Sequence, residues 1–217
     1  MHKLSLGDTR NRVRKILCLG AHCDDIEIGC GGTILRLTQE NRDLEFHWVV
    51  FSSNPARKRE ALKAAGLFLR NAGRSRVLVR SFSDSFFPYE GKKIKEFFAS
   101  IQKAFQPDLI FTHYRDDLHQ DHRLISELTW NAFRNHLILE YEIPKYDGDL
   151  GAPNFFVGLD DELCAAKVQH VLSSFRSQSA KHWFTEDTFR ALLRIRGVES
   201  NGQGRYAEGF YCRKALV

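Results

Sequence analysis

Apolar positions recur along the chain in two periods, one suited to buried strands and one to helices. Residues 15–19 predict a first strand, with Ile16-Leu17-Cys18-Leu19 an unbroken apolar run, the pattern of a parallel strand covered on both faces. Residues 45–52, with Phe46, Trp48, Val49, Val50 and Phe51, predict a second strand. Residues 76–82 predict a third strand and residues 108–113 a fourth. Between them lie helical stretches. The first is expected to begin near Gly32-Thr33 and fade at Asn41, and the second is opened by Asn54-Pro55 and runs over 56–69. The third covers 92–105, where Ile94, Phe97, Phe98, Ile101 and Phe105 repeat at helical spacing and read as core. Further on, a helix from His122 to about His136 and a strand over 137–143 are expected, followed by a loop at 145–153 of the kind that covers a site. Helices over 167–175 and 186–195 and a late strand over 206–213 complete the reading. Strand and helix alternate at short spacing, so the fold class is α/β: a Rossmann-like, mainly parallel sheet with helices on both faces.

Two polar clusters interrupt this pattern, the first directly after an apolar run and the second following another strand-like run, Leu109-Ile110-Phe111-Thr112. The first, residues 20–33, holds His22, Asp24, Asp25, Glu27 and four glycines; the second, residues 116–122, holds Asp116, Asp117, His119, Asp121 and His122. Ligands of open α/β sheets bind outside the carboxyl ends of the strands, which is where both clusters fall. Each offers His and Asp, and neither completes a metal site alone. Catalytic zinc takes three protein ligands and keeps a position for water, so the two loops would have to converge.

Composition narrows the alternatives. The 217 residues suit one well-buried domain, with residues 1–14 a polar, basic tail and 15–217 a single catalytic α/β domain. At 43% hydrophobic and 27% charged residues the composition is that of an ordinary globular protein. No apolar run reaches membrane-spanning length and no secretory signal is visible, so a cytoplasmic protein is expected. Five cysteines without a C-x-x-C pair argue against a disulfide framework and a thiolate zinc site. The net charge of +5 slightly favours anionic partners, yet the basic residues form no nucleic-acid signature. A homo-oligomer is compatible with the sequence.

The pattern Ala-His-x-Asp-Asp-x-Glu-x-Gly-x-Gly-Gly-Thr, followed by Asp-x-His-x-Asp-His, resembles the PIG-L/LmbE family of zinc-dependent N-acetyl-sugar deacetylases. Residues 57–65, Ser177-Gln178 and Ala207-Glu208-Gly209-Phe210 agree with it, so the resemblance spans roughly residues 15–212. One position departs: the family usually has proline after the first histidine, where this chain has Cys23, which leaves the loop less constrained. The resemblance implies an LmbE-like fold, Zn2+ or another divalent metal, and an N-acetylated amino sugar as substrate, whether free, glycosidic or carried on a nucleotide or lipid.

In that reading His22, Asp25 and His122 hold the metal, and Asp24 is the general base, the role the resemblance also gives it. His119 is expected to stabilise the oxyanion as an imidazolium sustained by Asp121. Either Asp24 or His119 could protonate the departing amine. Arg57 and Glu60 stand between a salt-bridged helix start and substrate contact, as does Glu208, and His113 between substrate contact and a structural role. Glu27 reads as a loop-stabilising acceptor outside the site. Three rivals remain: Cys23 as the nucleophile of a thiol hydrolase, a nucleotide- or phosphate-binding module built on Gly29-x-Gly31-Gly32, and an inactive carbohydrate-binding protein of the same fold.

Overall fold

In the computed structural model, which describes residues 13–216, the apolar runs become strands β1 (Lys15–Gly20), β2 (Glu45–Val50), β3 (Arg74–Val79), β4 (Leu109–His113) and β5 (Leu137–Tyr141). Residues 1–12 of the expected tail lie outside the described residues. Two more strands, β6 (Phe155–Leu159) and β7 (Tyr206–Tyr211), complete a seven-stranded sheet of order β3-β2-β1-β4-β5-β7-β6. The first five strands are parallel; β7 runs antiparallel to both β5 and β6.

Successive residues of a strand face opposite sides of a sheet, and β1 is apolar on both. Ile16 and Cys18 join the core under helices α1 (Asp25–Glu40), α2 (Pro55–Phe68), α5 (Asp161–Ser174) and α6 (Glu186–Ser200). Leu17 and Leu19 join the core under α3 (Gly91–Ala104) and α4 (Gln120–Ala132), where Ile94, Phe98 and Ile101 also lie. Strand order reverses between β1 and β4, which opens a crevice at their carboxyl ends. Among the described residues no helix is long and apolar enough to cross a membrane.

The first helix differs from expectation. It begins at Asp25, seven residues before Gly32, so the glycines that read as a loop lie inside it. They are there because α1 approaches its neighbours closely. A Cβ on Gly29 would sit 2.1 Å from the Tyr141 ring, and one on Gly32 would sit 2.4 Å from Leu159. Tyr141 itself donates to the Leu19 carbonyl at 2.6 Å, tying β5 to β1 beneath this contact. The phosphate-binding reading loses its basis here, because Gly29, Gly31 and Gly32 are helix interior and the Gly32 N–H already donates to Glu208.

Glu208 of β7 is therefore an internal anchor. It also accepts from the N–H and Oγ1 of Thr33, both at 2.6 Å, and pairs with Lys167 of α5, whose ammonium donates to the Ile28 carbonyl at 2.6 Å. A buried charge is tolerated only when paired and hydrogen-bonded, and this pair satisfies both conditions while fastening α1.

The other departures are smaller. Helix α4 starts at Gln120, so His122 lies in its first turn, and α5 starts at Asp161, where Asp160 caps the helix by accepting from the Leu163 N–H at 2.7 Å. Strand β6 escapes a pattern reading because it is short, half-buried and at the sheet edge.

Candidate metal centre

The two polar clusters meet at the carboxyl ends of β1 and β4. His22 follows β1, Asp25 opens α1 and His122 sits in the first turn of α4. His22 Nδ1 lies 3.1 Å from His122 Nε2 and 3.5 Å from Asp25 Oδ2, and His122 Nε2 lies 3.6 Å from the same oxygen. Tetrahedral bonds of about 2.0–2.1 Å require donor atoms roughly 3.3–3.4 Å apart. The triangle fits a small divalent ion.

Both histidines are aimed by carboxylates. His122 gives its Nδ1–H to Asp117 at 2.9 Å, which turns Nε2 toward the triangle. His22 Nε2 lies 3.1 Å from Asp84 and 3.3 Å from Asp121, which leaves Nδ1 for the triangle. Carboxylates of this kind fix the tautomer and orientation of ligating histidines. Asp117 also accepts from the N–H of His119 at 2.8 Å and pairs with Lys145 at 2.9 Å, binding the 145–153 loop to the site. On this basis Asp117→Asn is expected to weaken metal binding by roughly 10–100-fold, measurable by competition with a chromogenic chelator.

Several expectations need correction. Asp121 makes no side-chain bond to His119 and acts on it only at a distance: its oxygens accept from the N–H groups of Ser85 at 2.7 Å and Phe87 at 3.1 Å, and face His22. His119 instead caps α4, with Nδ1 accepting the Asp121 N–H at 3.2 Å, so the proton of the neutral ring is on Nε2. Burial and the nearby His22 lower its pKa, the opposite of what an imidazolium needs. His113 is fully buried beneath the triangle, stacked on His122 and accepting the Ala21 N–H at 2.9 Å, so it is not a substrate contact. Both carboxylate oxygens of Glu60 are taken by Ser177, at 2.9 and 2.6 Å.

Asp24 occupies the N-cap of α1 without making a side-chain cap bond; its Oδ1 accepts from Arg57 at 2.6 Å instead. Arg57 thus reaches the site through Asp24. Cys23 is buried, and its thiol donates to the Ser52 carbonyl at 3.4 Å, a tether where the family's proline would stand. Burial pushes that thiol up to about 12, which removes it as a nucleophile.

The electrostatics favour a cation. Burial opposes charge on His22, yet Asp25, then Asp121 and Asp84, outweigh it and hold its pKa well above the usual value. Burial likewise opposes charge on Asp25, but His122, His113 and His22 hold it well below the ordinary carboxylate range. His122, buried and beside His113, is lowered to about 3 and keeps a free lone pair.

Glu27 accepts no hydrogen bond from another described residue, contrary to its reading as a loop acceptor. Both of its oxygens are buried without a partner among the described residues, and burial, reinforced by Asp24 and Asp25, raises its pKa well above the model-peptide range. The fold therefore favours the protonated form. Its cost appears as pH rises above the unfolded-chain pKa of about 4.3 and grows until the folded pKa is passed. Glu27→Gln is expected to melt higher than wild type at pH 8, the gap closing as pH falls toward 4, which thermal unfolding across pH will show.

A family model described as GlcNAc-PI de-N-acetylase, PIG-L, matches residues 17–133, more than half of the chain. The chain belongs to the PIG-L family. Solved structures agree on the fold. N,N'-diacetylchitobiose deacetylase from Pyrococcus horikoshii, solved with its inhibitor MPG, is 23% identical with a TM-score of 0.71, covering 91% of this chain and 83% of that one. The zinc-inhibited form of teicoplanin deacetylase is 16% identical, TM-score 0.68, with coverage of 91% and 97%. GalB from Pseudomonas putida KT2440, a 4-carboxy-2-hydroxymuconate hydratase, is 17% identical, TM-score 0.74, with coverage of 94% and 98%. This fold therefore also carries chemistry other than deacetylation.

Proposed function

We propose that this PIG-L family protein is a zinc-dependent hydrolase that removes the N-acetyl group of an amino-sugar-containing substrate. What supports the reading above all is the triangle of His22 Nδ1, Asp25 Oδ2 and His122 Nε2, with the Asp24–Arg57 pair beside it. Two neutral nitrogens and one carboxylate suit zinc and leave it a net positive charge. When bound, zinc supplies an activated water at neutral pH and polarises an amide carbonyl.

The chain's own groups carry the rest. Asp24, steadied by Arg57 through one oxygen, takes the proton of the attacking water. His119 donates its Nε2–H to the carbonyl oxygen as negative charge grows there, acting as a neutral donor. Asp24 then returns its proton to the departing nitrogen, since His119 has none to spare, and acetate and the free amine leave. Asp117 and Asp121 hold the two histidines in register throughout.

The test is product analysis. The zinc-loaded protein is offered N-acetylglucosamine, its alkyl glycosides and a nucleotide-linked form, and acetate and primary amine are quantified. Equal release of both, abolished by a strong chelator, is expected. Turnover of an unsaturated dicarboxylate without acetate release would assign the site to hydration instead, and no acetate from any N-acetyl sugar would overturn the proposal.

A further inference from the structure

The sheet ends at β3, which pairs with β2 on one side only. The N–H groups of Arg74 and Arg80 donate to the Leu44 and Val50 carbonyls at 3.2 and 2.8 Å, so the alternation of a parallel ladder turns the N–H and C=O groups of Ser75, Val77 and Val79 the other way. Among the described residues nothing bonds to these groups. Such an edge is a template for another strand, and its side chains decide which strand can lie there. Val77 and Val79 pack on the core under α1 and α2, while Leu78 packs on the opposite core. Arg74 and Arg76 stand exposed on the Leu78 face, and Arg80 lies over the Phe97 ring at 4.7 Å. Glu45, the carboxylate in register with Arg74, pairs with His47 at 3.7 Å instead and has Lys15 of β1 on its other side. The flank of the edge is therefore positive. A second copy of the chain does not fit it: antiparallel pairing about any residue from Ser75 to Leu78 sets arginine opposite arginine. A nucleic acid would answer the charge and leave the backbone groups unpaired.

We propose that the open edge of β3 is a docking site for an extended acidic segment of a partner protein, which joins the seven-stranded sheet as a further strand. Carboxylates at every second position of the segment face Arg74 and Arg76, and the small apolar residues between them lie beside Val77 and Val79. The arginines act twice, excluding a second copy and selecting the acidic partner. The inference is independent of the metal reading, since β2 and β1 lie between this edge and the crevice.

Fluorescence anisotropy of the whole protein with a short labelled peptide of alternating glutamate and valine tests this, a peptide with lysine for glutamate being the control. The glutamate peptide is expected to bind saturably, more weakly as salt rises, and the lysine peptide not to bind. The double variant Arg74→Glu, Arg76→Glu, shown to be folded by an unchanged melting temperature, is expected to lose about tenfold or more in affinity. Backbone pairing is read on the wild-type protein. N-methylating the valines removes the donors of an antiparallel pairing, and N-methylating the glutamates those of a parallel one, so only one of the two methylated peptides is expected to lose binding. The proposal is overturned if the glutamate peptide does not bind, if the lysine peptide binds as well, if both methylated peptides bind like the parent, or if the double variant keeps wild-type affinity. A DNA oligonucleotide held more tightly than the peptide by the same arginines would also overturn it, making the surface a nucleic-acid one.

Discussion

Replacing His22 or His122 by alanine is expected to cost the protein its divalent metal and, with it, turnover. The triangle offers three donors, and loss of one leaves two, so affinity should fall by more than the roughly 10–100-fold that follows from disturbing a supporting carboxylate. Metal content after gel filtration, with circular dichroism to confirm folding, is the measurement. His119→Ala provides the contrast. Its ring lies within ligating distance of His22 and His122 as well, so a centre built on three histidines would lose metal in this variant and keep it in Asp25→Ala. The opposite pattern is expected. Acid should also release the ion, because His22 must give up a proton to ligate and holds that proton strongly among carboxylates.

Asp24→Asn should behave in the opposite way, keeping the metal and lowering kcat by about 10²–10⁴-fold, because an amide has the shape of the carboxylate without its basicity. Burial raises the pKa of Asp24 and Arg57 pulls it back. Removing that opposition in Arg57→Ala leaves burial to push the base higher, so the acid limb of the rate profile should move to higher pH. The comparison separates chemistry from ligation: metal loss in Asp24→Asn would make Asp24 a ligand and leave the reaction without its base.

The strands and most helices were legible because their apolar residues repeat at fixed spacing. Ile94, Phe98 and Ile101 read as one buried face and are one. The glycines of α1 misled for a physical reason: local preference marks glycine as a breaker, while here its missing side chain admits Tyr141 and Leu159. Side-chain partnerships were the harder part. Asp117 could have been suspected, since it stands five residues before His122 in the second cluster. Nothing in the sequence singles out Asp84, which reaches His22 only because the loop after β3 folds over the crevice and is held there by Asp121. That same use of Asp121 is why its pairing with His119 could not be read from their spacing alone.

The anchoring of α1 by Glu208 and Lys167 bears on the order of events during synthesis. His22, Asp25 and His122 are all made before Glu208, which follows His122 by 86 residues (208 − 122). Until β7 is inserted between β5 and β6, the helix that carries Asp25 lacks the acceptor for its Gly32 and Thr33 N–H groups, and Lys167, which donates to its Ile28 carbonyl, lacks its buried ion-pair partner Glu208. A growing chain therefore carries the donors before it carries the centre. In the proposed reading metal capture belongs to the closing stage of folding, and a ribosome-bound chain stalled ahead of β7 should bind zinc no better than a loose collection of histidines and aspartates.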